Sequence, residues 1–259
     1  MSVAKHARPL LFLLAALIVS CTGDVAVKDV QGDKFGYLSK TFALQSIPGG
    51  TATAITARDP GPVGFRRMVL AVTPTFVQLT GAATPPQYRM KWTLISAGGP
   101  FVQYLEEQSS NGVSTRQDYG ISYRNIQDVR AQSMVHSDTQ STWVMEMKSV
   151  EGFTPLATTG SGGGGDFNMN YSWGNPMQLA NMTRLAVHCT YGERYPAAKI
   201  NAKLAGEAQD LSCERMNQNG VVADHTTDTL LLRYGVTIRT RAQTPSDTVL
   251  FRFDEVTIE

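Results

Sequence analysis

The sequence predicts an all-β protein of antiparallel, β-sandwich-like architecture, and three observations carry that expectation. Apolar and polar residues alternate over short stretches, runs with helical spacing are hard to find, and turn residues punctuate the chain between the alternating stretches. A parallel sheet would need amphipathic helices between its strands, and the pattern does not supply them. The expected organisation is a signal peptide over residues 1–20, a modified cysteine with an N-terminal tether or strand over 21–50, a first β domain over 51–157, a Gly-rich linker over 158–166 and a second β domain over 167–259.

The amino-terminal segment comes first. Lys5 and Arg8 precede the uncharged apolar block Leu10 to Val19, the layout of an export signal. Ten apolar residues are too few to span about 30 Å of hydrocarbon, so the block is read as a removable signal and not as a permanent span. Ile18, Val19, Ser20 and Cys21 then follow in a row, and this tetrapeptide resembles the bacterial lipobox. The resemblance implies diacylglycerol on the Cys21 thiol, cleavage before Cys21, and acylation, including palmitate, of the new amino terminus. Because Thr22 stands where lipoproteins of this kind kept at the inner membrane often carry Asp, it also implies the outer membrane, periplasm-facing or surface-exposed. Two or three acyl chains make such an anchor stable, since each buried methylene contributes about 0.8 kcal/mol.

Loss of residues 1–20 removes Lys5 and Arg8, leaving 21 basic and 22 acidic residues and a net charge of −1. No cluster of Lys and Arg follows, so the expected partners do not include nucleic acid. They are the membrane, through the anchor, and an envelope protein or polysaccharide.

Within the body, strands are expected at Met68 to Thr73, Phe76 to Thr80, Tyr88 to Ser96, Val102 to Glu106, Ile121 to Arg124, Trp143 to Lys148, Phe167 to Trp173, Ile200 to Leu204 and, most strongly, Leu230 to Arg241. Short helical turns are expected at Asn125 to Gln132 and Pro176 to Asn181. Near the end, Val249, Phe251 and Phe253 share one parity and Val256 and Ile258 the other, which calls for a bulge at Asp254 and Glu255. Turn signals lie at Asp59 to Pro62, Thr84 to Pro86, Gly98 to Pro100, Asn111-Gly112 and Asn219-Gly220. The four glycines Gly162 to Gly165 mark the linker. They do not make a phosphate loop, because Asp166 stands where that motif requires lysine. A faint repeat links Asn111-Gly-Val113 and Tyr119-Gly-Ile121 to Asn219-Gly-Val221 and Tyr234-Gly-Val236.

With Cys21 assigned to lipid, Cys189 and Cys213 remain, and in an oxidising compartment two cysteines are read as a disulfide. Leu185, Val187, Cys189 and Tyr191 share a strand face, as do Leu211 and Cys213, so both thiols are expected to point inward from neighbouring strands.

Chemistry-bearing residues are sparse. His136 with Asp138, and Asp224, His225 and Asp228, place an imidazole near carboxylates without the spacing of a metal motif, and both read as surface turns. His188 takes the face opposite Cys189. Glu106 and Glu107 are adjacent on a strand and so point to opposite faces. Phe167, Met169, Tyr171 and Trp173 line one face, as a core stripe or a sugar-binding platform would, with core favoured. No catalytic, metal or cofactor signature emerges. The expectation is a non-catalytic, lipid-anchored binding or structural protein of the envelope. A periplasmic β-sandwich hydrolase or carbohydrate-binding protein is the alternative.

Overall fold

The computed structural model describes residues 27–79, 87–136, 143–158, 166–244 and 246–259. Cys21, Asp138, the Thr84 to Pro86 turn and the glycine run 162–165 lie outside them. Three short helices come first, α1 (Val27–Gly32), α2 (Lys34–Thr41) and α3 (Gly49–Thr56). Twelve strands follow: β1 (Arg67–Leu79), β2 (Arg89–Gly98), β3 (Phe101–Ser110), β4 (Val113–Tyr123), β5 (Gln127–Val135), β6 (Met145–Thr154), β7 (Phe167–Gly174), β8 (Thr183–Pro196), β9 (Glu207–Asn217), β10 (Val222–Leu231), β11 (Val236–Gln243) and β12 (Asp247–Ile258).

Each strand pairs antiparallel with the next, and β1 pairs with β12 from Met68↔Ile258 to Leu79↔Asp247, so the sheet closes into one barrel. This corrects the expected sandwich of two β units. The glycine run does not separate two sheets, because its flanking strands are hydrogen-bonded neighbours, with Thr154 opposite Asn168. Alternation specifies strands but not closure, and a barrel and a sandwich share the same period of two.

Local corrections have local causes. The 27–50 segment, expected as tether or strand, is helical, and α2 begins with the Asp33 side chain accepting from the Gly36 amide at 2.9 Å. Leu230 to Arg241 is two strands, because a turn ending at Gly235 (φ 60°) divides it. Asn125 to Gln132 is the start of β5 after a left-handed turn at Arg124 (φ 44°) and Asn125 (φ 59°), not a helical turn. Ile200 to Leu204 is a loop after a 3-10 turn over Ala197–Lys199. The two halves of the faint repeat are not equivalent, since Tyr119-Gly120 lies within β4 whereas Tyr234-Gly235 forms a turn.

Other expectations hold. Asn111 (φ 51°) and Gly112 (φ 78°) make the two-residue β3–β4 hairpin. Opposite β1, Ala71 pairs with Glu255 and Val72 with Phe253, leaving Asp254 as the bulged residue. Phe253 and Val256 are thereby both buried. Cys189 and Cys213 face each other across β8 and β9, with Cα atoms 4.0 Å apart, and form a disulfide.

Two apolar clusters hold the barrel. The first joins β1, β2, β11 and β12 to Val102 and Tyr104 of β3; the second joins Phe101 and Leu105 of the same strand to the helices and to β4 through β9. β3 is thus buried on both faces. The seam between β5 and β6 is short, pairing only Arg130↔Glu146 and Ala131↔Met145. There α3 covers the wall, with the Thr51 hydroxyl donating to the Met147 carbonyl at 3.0 Å.

Candidate functional site

Cross-strand register assembles the site. Trp92 on β2 lies opposite Glu106 on β3, Glu106 opposite Asp118 on β4, and Asp118 opposite Ser133 on β5. Directly opposed residues have Cβ atoms about 5 Å apart, so this row sets two carboxyl groups side by side beneath an indole. In the adjoining row Tyr104 faces Gly120. A Cβ at residue 120 would lie 2.5 Å from the Tyr104 ring, so glycine is what lets that ring lie flat on the wall.

These rows wall a cavity of about 460 Å³ inside the barrel, completed by Asp128 and Gln127 of β5, Trp143 and Met145, Trp173 of β7, Arg215 of β9, Asp228 of β10 and Arg239 of β11. All three tryptophans of the chain line it. Trp92 is 3% exposed and its indole Nε1 has no hydrogen-bond partner; Trp143 is 68% exposed. Gln127 is also buried, and its Oε1 has no partner. The cavity therefore holds one buried donor and one buried acceptor that the protein does not satisfy, each costly unless a ligand or water meets it.

Charge is divided unevenly around the wall. Asp228, 1% exposed, sits between Arg215 Nη2 at 3.8 Å and Arg239 Nε at 3.4 Å, and accepts from the Thr226 hydroxyl at 2.5 Å. Asp118 is paired with Arg116 at 2.8 Å. Glu106 has neither partner. Burial raises its pKa to about 7, Arg239 opposes that rise, and the neighbouring Asp118 and Asp128 add to it. Burial also raises Asp128, against a hydrogen bond from the Tyr104 hydroxyl and the pull of Arg239 and Arg215. Burial would lower Arg239, but Asp228 and Glu106 outweigh it and hold it above its ordinary value.

Below the cavity, Arg124 is 1% exposed and donates through Nε and Nη2 to Asp59 at 2.5 and 2.7 Å, through Nη1 to the Gly235 carbonyl and through Nη2 to the Gly61 carbonyl, both at 2.8 Å. The Tyr123 hydroxyl donates to Asp59 at 2.7 Å. Burial pushes the Asp59 carboxyl up, yet these bonds prevail and hold it below its ordinary value. This buried fork ties the β4–β5 turn to the β10–β11 turn and closes that end.

The residues singled out from sequence scatter. His136 donates through Nδ1 to the Ser114 carbonyl, 2.9 Å away. His225 lies near Glu214 at 3.6 Å on the surface, and His188 is 2.6 Å from the Asn168 side chain. None of the three lines the cavity. Asp224, His225 and Asp228 all belong to β10 and not to a surface turn, which corrects that expectation. Glu107 faces outward to Lys34 at 2.5 Å, opposite to Glu106. Phe167, Met169 and Tyr171 are core, while Trp173 on the same strand reaches the cavity. Asp118, Asp128, Trp92 and Trp143 were not singled out, because only register brings them together. Among the described residues no group of three or more His, Cys, Asp or Glu is placed to hold a metal ion, and no helix is long and apolar enough to cross a membrane.

No family model matches the chain, and no curated protein matches it. Among solved structures the chain is similar to a β-barrel-like protein of a domain of unknown function, DUF1849, from Brucella abortus, with a TM-score of 0.42 and 10% identity over 76% of this chain and 99% of that one.

Proposed function

We propose that this protein is a lipid-anchored envelope component, attached through Cys21, that binds a saccharide-sized polar ligand in the barrel cavity without transforming it. The observation that supports this reading is the convergence of all three tryptophans on one cavity that also holds an unpartnered donor, Trp92 Nε1, and an unpartnered acceptor, Gln127 Oε1. Flat indole faces with a few convergent polar groups suit a sugar ring, whose faces are apolar and whose edges carry hydroxyls. A cavity of about 460 Å³ is within the range of small-molecule sites.

Because every tryptophan lines the cavity, the emission of the whole protein reports on its contents. Titration with mono- and disaccharides of the cell envelope is expected to shift or quench that emission, and Trp173→Ala is expected to weaken the response at least several-fold. A panel that leaves emission unchanged at millimolar concentration would overturn the reading.

The hydrolase alternative has one specific support, the opposition of Glu106 to Asp118 with Glu106 titrating near 7. Release of reducing ends from the same saccharides, lost in Glu106→Gln, would favour it over simple binding.

A further inference from the structure

In a barrel of consecutive antiparallel strands, the turns that leave odd-numbered strands all lie at one end, and those that leave even-numbered strands at the other. Of the eight large apolar side chains exposed among the described residues, seven sit within four residues of a strand terminus at the first end. They are Val77 on β1, Val113 on β4, Trp143 before β6, Met177 and Leu179 between β7 and β8, Val221 before β10, and Leu250 on β12. Met177 is 79% and Leu179 89% exposed. The eighth, Phe35, lies on α2 beneath the Arg67 guanidinium. Arg67 is the first residue of β1, so of the eight only Phe35 stands toward the opposite end. Scattered exposed apolar residues are ordinary, but the gathering of seven on one rim is not.

We infer that this rim is a membrane-docking face, which seats on a lipid bilayer and turns the mouth of the cavity toward the headgroups. The apolar tips stand on separate turns, as prongs and not as one continuous patch. A fluid interface accommodates separate prongs, whereas a protein partner needs a packed, shape-matched core. Within three residues of the strand termini at this end the described residues carry Arg89, Lys91, Arg116, Lys148, Arg184, Arg215 and Arg241 against Glu107, Glu146, Glu214, Asp224 and Asp247. A net-basic rim with apolar tips and an indole at its edge has the composition of a surface that lies at the water–headgroup boundary. The two most exposed residues of the cavity wall, Trp143 and Arg116, belong to this rim, so the cavity opens there.

The inference rests on the anchoring reading in one respect. From Cys21 to Val27 is six residues, a reach of roughly 20 Å even when fully extended. An acylated Cys21 therefore keeps the body against the bilayer, where seven apolar tips on one rim decide which end faces it.

The test uses the protein purified from membranes and placed with vesicles of phosphatidylethanolamine and phosphatidylglycerol whose acyl chains carry bromine, which quenches only tryptophans at bilayer depth. Quenching of the wild type is expected to fall by more than half in Trp143→Phe and to persist in Trp92→Phe. Met177→Ser with Leu179→Ser, which leave every tryptophan in place, are expected to reduce it at least two-fold. The mass of the amino-terminal peptide reports acylation separately. An acylated protein without Trp143-dependent quenching overturns the docking face and leaves the anchor standing. An unacylated protein that vesicles still quench through Trp143 overturns the anchor and supports the rim. Retention of full quenching in the Met177 and Leu179 double variant also overturns the inference, as does a rim that crosslinks only to protein.

Discussion

Glu106 and Asp128 are the cavity carboxyls without a cation at ion-pair distance, and the titration of Glu106 near 7, against an ordinary 4.5, couples the site to stability. A raised carboxyl pKa means the folded state keeps a proton that the unfolded state has already released. Its contribution is therefore fully present below about 4.5, is lost as pH rises to 7, and is constant above. Glu106→Gln is expected to match the wild type near pH 4 and to be more stable at pH 8 by up to about 3 kcal/mol, read from urea unfolding at the two pH values. A gain that is the same at both values would refute the assignment. Arg124 makes the opposite case, because its charge is fully matched by Asp59 and two carbonyls. Arg124→Met leaves Asp59 buried without its partner and is expected to cost about 3 to 5 kcal/mol, visible as a lowered urea midpoint. Neither residue stood out in the sequence as the centre of a site. Glu106 reads as one of two adjacent carboxylates until Asp118 is found opposite it.

Strands were legible where side-chain parity was clean. Cys189 and Cys213 share parity with Val187 and Leu211, so their inward direction followed from alternation, and the bulge at Asp254 followed from the change of parity between Phe253 and Val256. The break within Leu230 to Arg241 was not legible, because Leu231, Tyr234 and Val236 are all buried and the apolar pattern runs across the turn. Two predictions belong to this scale. Replacing both Cys189 and Cys213 by Ala is expected to cost about 3 kcal/mol, and neither thiol should alkylate in the unreduced, denatured protein. Gly120→Ala drives a methyl into the Tyr104 ring and is expected to cost about 1 to 3 kcal/mol, but almost nothing further in a Tyr104→Ala background. Additive losses in that double variant would show that the ring is not what glycine accommodates.

Closure belongs to the molecule as a whole, and it is the part of the fold least visible in the sequence. No single strand announces that β1 will meet β12, since the pairing joins residues as far apart as Met68 and Ile258 and leaves no local trace. The same distance hid the cavity, whose wall draws its residues from ten of the twelve strands. Only the cell-envelope expectation came from contiguous residues, 18 to 21, and it concerns address and not architecture. The meeting of β1 and β12 also governs how the molecule is made. However much of the chain has emerged from a ribosome or an export channel, two strand edges stay unsatisfied until β12 is free. The nascent protein is thus sticky until β12 has reached β1, and calls for a chaperone that holds it open until then.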